Sequence, residues 1–186
     1  MAFNKYIPGI VMKVAGEARR RNWEANNPET LGAKVIVHDG ERLVLIRNNY
    51  GNPNNFLRPS TTWDIPGGGL KKDEASLIRA QLDEGMTAQE IPPHLFIGAA
   101  MRELEEEIGL QVEETDLHHV DTVRSFESGN RDTIGIFALK VADVTAENYT
   151  FQRNEIHAAE AHSVFYLPED RREYIGSAVS SLALVA

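Results

Sequence analysis

Arg102-Glu103-Leu104-Glu105-Glu106-Glu107-Ile108-Gly109-Leu110 is the stretch on which the reading of this chain turns. Taken as a helix, it sets Glu103, Glu106 and Glu107 at i, i+3 and i+4, so that three carboxylates share one face. Met101, Leu104 and Ile108 form an apolar stripe on another face, suited to a core. Gly109 supplies the left-handed residue that ends helices. Like charges on adjacent turns cost a helix roughly 0.2–0.5 kcal/mol per pair. A hard divalent cation such as Mg²⁺ or Mn²⁺ removes that cost, because it prefers clustered carboxylate oxygens. The plainer alternative is a solvated acidic face. Upstream lies Trp63-Asp64-Ile65-Pro66-Gly67-Gly68-Gly69, which favours the cation.

Together the two segments resemble the Nudix hydrolase signature: Gly, five residues, Glu, seven residues, then Arg-Glu-apolar-any-Glu-Glu-any-Gly-apolar. Arg102 to Leu110 matches the second half without a gap, and Gly68 with Glu74 matches the first. The middle departs from the pattern, because twenty-seven residues separate Glu74 from Arg102 where it allows seven. The extra residues therefore split the signature, and the place of Glu74 in it stays open. The resemblance runs from about Thr30 to Pro168.

Bulk properties suit an enzyme of one domain. The 186 residues are 42% hydrophobic and 25% charged, ordinary for a globular protein with a substantial core. A net charge of −9 argues against a broad grip on nucleic acid, though not against a small phosphorylated substrate whose charge a bound cation can offset. With no cysteine there is no disulfide, zinc-thiolate site or thiol nucleophile. No apolar run is long enough to span a membrane, and the start lacks a signal peptide's apolar block, so a cytoplasmic location is expected.

Residues 1–29 read as an N-terminal helical extension, with a helix over 10–24 that ends in Arg19-Arg20-Arg21 and a breaker at Asn26-Asn27-Pro28. Residues 30–186 form the Nudix-like domain. Ala33–His38 and Arg42–Arg47 read as strands joined at Asp39-Gly40. Within the inserted segment 75–93, Glu74–Leu82 reads as a helix stopped by Gly85, and Thr87-Ala88-Gln89-Glu90 has capping-box form. Leu77, Ile78, Leu82, Met86 and Ile91 are too many apolar residues for a solvated loop. They are expected to pack as a cap near the substrate cleft or, failing that, against a second subunit in a homodimer. Leu117–Phe126 and Thr133–Val141 read as an antiparallel pair around Ser128-Gly129-Asn130, and Val164–Pro168 as a late strand.

The resemblance implies an α/β/α sandwich with a mixed central sheet, and a Mg²⁺- or Mn²⁺-dependent cleavage of a pyrophosphate bond in a nucleoside diphosphate linked to another moiety. It implies Glu103, Glu106 and Glu107 as metal ligands with the Gly67 carbonyl, and Arg102 as the group that orients a glutamate. Glu103 or the late-loop Glu155 is the candidate base. Arg47, which ends a strand entering the loop before the glycines, and Gly68 are candidate substrate contacts. The other readings are a nucleotide-binding or regulatory domain without turnover and a metal-dependent phosphohydrolase of another kind. His118 and His119 are neighbours in a strand and point to opposite faces, so they cannot share one metal.

Overall fold

The computed structural model of the chain describes residues 29–51, 57–125, 132–145, 149–152 and 155–182, with the backbone alone at 49–51 and 57–59. The expected N-terminal helix and the Ser128–Asn130 turn lie outside the described residues.

Among the described residues, seven strands form a mixed sheet with helices on both faces. The strands are β1 (Thr30–His38), β2 (Arg42–Gly51), β3 (Leu57–Pro59), β4 (Gly67–Gly69), β5 (His118–Ser125), β6 (Asp132–Lys140) and β7 (Ile156–Ser163). The helices are α1 (Lys72–Asp83), α2 (His94–Ile108) and α3 (Glu173–Leu182), with a 3₁₀ turn at Ala88–Glu90 and another at Glu114–Asp116. β1 is central, and its unbroken Val35-Ile36-Val37 run is buried on both sides of the sheet. It runs parallel to β6 from Thr30↔Asp132 to His38↔Lys140. On its other edge it meets β2 only at His38↔Leu43. Beyond that pair β1 and β2 part, and the segment from Asp64 to Gly69 fills the opening. Asp64 bridges Ile46 of β2, while Gly67–Gly69 pair antiparallel with Lys34, Ala33 and Gly32 of β1. The glycine loop is thus a strand of the sheet.

Two cores follow from the two faces. One holds Val35, Val37, Val44 and Ile46 of the sheet against Phe96, Ala100, Leu104 and Ile108 of α2. The other holds Ile36, Leu43, Leu45 and Ile136 against Tyr174, Ile175 and Ala178 of α3. The result is the expected α/β/α sandwich. The segment between Glu74 and His94 belongs to the first core: Ile78 and Ile91 are 0% and 1% exposed, with Leu82 and Met86 packed at its edge. These side chains are therefore buried within their own domain. Leu77 departs from the expectation at 58% exposure, because it faces outward from α1. Gly85, at φ 93°, and the Thr87–Glu90 capping box end α1 and start the 3₁₀ turn as read.

The late strand falls earlier than expected. β7 is Ile156–Ser163, paired with β2 from Asn48↔Ile156 to Arg42↔Ser163. The Val164 N–H still donates to the Glu41 carbonyl at 2.9 Å, after which the chain turns and leaves Phe165 and Tyr166 exposed.

Candidate active site

α2 begins after Pro92-Pro93 and ends at Gly109, whose φ of 72° lets its N–H reach the Glu105 carbonyl and the Leu110 N–H reach that of Leu104. Its inward face carries Phe96, Ala99, Ala100, Leu104 and Ile108, and also Glu103 and Glu107. The two glutamates are 8% and 4% exposed. Glu106 differs: its side chain is 54% exposed. Successive residues turn by about 100°, so i and i+4 stand about 40° apart while i+3 falls about 60° the other way. The acidic face is therefore split, with two carboxylates turned in toward the sheet and one at the solvent rim. Among the described residues, no three acidic or histidine side chains converge as they stand on a point that could hold a metal.

Glu103 and Glu107 meet the glycine strand. The Gly67 N–H donates to Glu107 Oε2 at 2.6 Å. A Cβ on Gly68 would lie 2.5 Å from Glu103 Oε2, so any side chain there would expel that carboxylate. At Gly67 the φ of 135° and the close Ala33 carbonyl demand glycine for a second reason. Gly68 thus shapes the pocket for Glu103. Burial pushes the Glu107 carboxyl up to about 7, against the pull of the Lys34 ammonium and the Gly67 N–H. Burial also raises Glu103 above the ordinary range, with Arg102 opposing.

Arg102 ties the pieces together. It donates to Glu103 and, at 3.0 Å, to the Gly69 carbonyl, and stands 3.6 Å from both Glu74 and Glu106. Glu74 also accepts the Lys71 N–H at 2.6 Å as part of the α1 cap. It keeps a place beside Arg102 despite the intervening residues.

Two residues not singled out from the sequence complete this region. Lys34 Nζ donates to the Gly67 carbonyl at 2.7 Å and the Ile65 carbonyl at 3.2 Å, and pairs with Asp64 at 3.0 Å. Asp64 also accepts the Ile65 N–H and the Tyr174 hydroxyl. The Gly67 carbonyl is therefore already engaged by an ammonium, with one lone pair remaining. A lone lysine in the apolar run Gly32-Ala33-Lys34-Val35-Ile36-Val37 was a legible sign of a buried partner. A cavity of about 190 Å³ opens beside the glycine strand, lined among others by Lys34, Asp64, Gly68, Asp132, Arg172 and Tyr174.

Arg47 is placed elsewhere. Its guanidinium pairs with Asp170 at 2.6 Å and lies 4.2 Å from the Trp63 ring centroid, and it does not line this cavity. Strand β2 carries it toward the chain that enters α3. Glu155 is exposed in a turn next to the end of α2, where the Gln152 N–H donates to the Glu107 carbonyl at 3.1 Å.

No family model matches the chain, nor does any curated protein. Solved structures do. A MutT Nudix hydrolase from Burkholderia pseudomallei is similar at TM-score 0.56 and 14% identity, over 83% of this chain and 98% of that one. A MutT protein from Methanosarcina mazei Go1 gives 0.57 and 15%, over 86% and 96%. A C. elegans Ap4A hydrolase gives 0.51 and 14%, over 84% and 96%. The chain has the fold of the Nudix hydrolases. No helix among the described residues is long and apolar enough to cross a membrane.

Proposed function

We propose that this chain is a divalent-metal-dependent Nudix-type hydrolase that cleaves the pyrophosphate bond of a nucleoside diphosphate linked to another moiety. The observation that carries the reading is the pair of buried carboxylates, Glu103 and Glu107, set against a glycine strand with Glu107 raised to about 7. Burying two neighbouring carboxylates is costly, and a bound cation is the usual compensation. The donor set is all oxygen, which suits Mg²⁺ or Mn²⁺. Glu103 and Glu107 would hold the ion from the buried side, Glu106 from the rim, and Gly67 through its remaining lone pair. Such an ion supplies charge neutralisation for phosphate oxygens and a more acidic water.

The chain's own groups do the rest. Arg102 fixes Glu103 by a charge-assisted bond and holds the Gly69 carbonyl, so helix and glycine strand keep one register. Glu155 or Glu103 takes the proton of the attacking water. The 190 Å³ cavity beside Gly68 receives part of the substrate. Arg47, held by Asp170 and Trp63, lies outside that cavity.

The test is a hydrolysis screen over nucleoside triphosphates, nucleotide sugars, ADP-ribose, dinucleotides and coenzyme A, with Mg²⁺ and with Mn²⁺. Cleavage of one class, abolished by a chelator, is expected. Tight nucleotide binding with no turnover under either metal would leave a binding module instead.

A further inference from the structure

The opposite end of β1 carries a second cavity that the reading above does not use. His38, His118, Lys140, Val120 and Leu182 line a volume of about 240 Å³, while the His119 imidazole turns to the other face of β5, against Phe137 and Thr122. Thr30↔Asp132 begins the β1–β6 ladder and lines the glycine-side cavity, whereas His38↔Lys140 ends it here. At ~3.3 Å per residue the two cavities lie about 26 Å apart.

We propose that this cavity binds a small organic anion with an apolar body. Three observations support it. The chain carries a net charge of −9, yet no carboxylate lines this cavity, and its one full charge is positive. His38 is 7% exposed, and its Nδ1 has no hydrogen-bond partner among the described residues. A buried polar atom left unpaired costs about 1–3 kcal/mol, which an oxygen of a bound anion recovers from the Nδ1–H tautomer. Burial, aided by Lys140 and opposed by Asp39, keeps His38 from charging, so it serves as a neutral donor beside the Lys140 cation. Third, the remaining wall is aliphatic, from Val120 and Leu182, which fits a hydrocarbon portion.

A metal ion suits the place less well. His119 Nε2 is taken by Thr122 Oγ1 at 3.0 Å, and no three ligating groups among the described residues are arranged around one point. The volume lies below the ~300–1,000 Å³ of drug-sized pockets, which restricts the ligand to a small acid or phosphate monoester.

The experiment follows the histidine imidazole resonances of the full chain by ¹H–¹⁵N NMR during titration with hexanoate, phenyl phosphate, inorganic phosphate and hexanol. Saturable shifts of His38 and His118 are expected with hexanoate or phenyl phosphate, the stronger of the two identifying the head group. Hexanol and inorganic phosphate each lack half of the recognition and should bind at least 10-fold more weakly. Lys140→Met, at an exposed strand end, should weaken the anion at least 5-fold without changing Tm. Ala138→Leu, which fills the cavity, should abolish the shifts. The proposal is overturned by the absence of saturable shifts in the wild type, by equal binding of hexanol or inorganic phosphate, or by undiminished binding in Lys140→Met.

Discussion

Glu74 Oε2 stands 3.6 Å from Arg102 Nη2, although twenty-seven residues separate the two in sequence. The intervening chain makes the approach by folding into the core. Ala75 and Ile78 of α1 and Ile91 before α2 are buried, so the excursion packs on the same core as α2 before leading into it. Lengthening a flexible connection from seven residues to twenty-seven adds only about 1 kcal/mol of closure entropy, which the burial of Ile78 or Ile91 alone offsets.

That geometry gives a first prediction. Ile78→Ala and Ile91→Ala should each destabilise the fold by about 2–5 kcal/mol, whereas Leu77→Ser should stay within about 0.5 kcal/mol. Urea denaturation of the three variants checks it. A mild effect at Ile78 and Ile91 would mean that the segment is only loosely attached.

Glu107 governs a pH dependence. Its carboxyl is raised to about 7 in the folded chain from an ordinary 4.5, so the native state holds a proton there that the unfolded chain releases. Its contribution is complete below pH 4.5 and disappears as pH rises through 7, a loss of about 3 kcal/mol without metal. Glu107→Gln should flatten that decline and leave the fold intact while removing most turnover. Thermal melts from pH 5 to 8 in chelator, with calorimetric Mn²⁺ titration of both proteins, provide the measurement. An unchanged pH slope in the mutant refutes the assignment of the titration, and undiminished activity with equal Mn²⁺ binding refutes that of the ligand.

Gly68 and Gly67 should behave differently. Gly68→Ala places a Cβ 2.5 Å from Glu103 Oε2, the end of a side chain that can move, so the fold should persist while kcat drops at least 10-fold. Gly67→Ala must place a Cβ against the backbone of Ala33 and Lys34 at a φ of 135°, and should fail to fold at 37 °C. Circular dichroism separates the two outcomes.

For Glu155, the glutamine variant should lower kcat by roughly 10²–10⁴-fold with little change in KM if this side chain accepts the water's proton. A loss of only a few-fold would transfer the role to Glu103. Stability should hardly change, because the residue is exposed in a turn.

Arg102→Lys tests the tie between helix and glycine strand. A lysine cannot meet Glu103 and the Gly69 carbonyl in one planar fork, so kcat should fall while Glu74→Gln in that background adds little further. A double-mutant cycle for stability should give a Glu74–Arg102 coupling of about 0.5–1 kcal/mol.

The linear order of residues was enough to read α2, its Gly109 end, the β1–β2 and β5–β6 strands, and α1 and its stop. Each of these rests on local periodicity or on a residue with restricted backbone freedom, and both are written in neighbouring positions. Only the tertiary structure decided the rest. It divided the acidic face, because which side of α2 meets β4 depends on how the sheet opens between β1 and β2. It drew Arg47 to Asp170 and Trp63, brought Lys34 onto the Gly67 carbonyl, and returned Glu74 to Arg102. Those are contacts between residues 16 to 123 positions apart, and their partners are chosen by packing and by the need to satisfy buried charge, which no local pattern specifies.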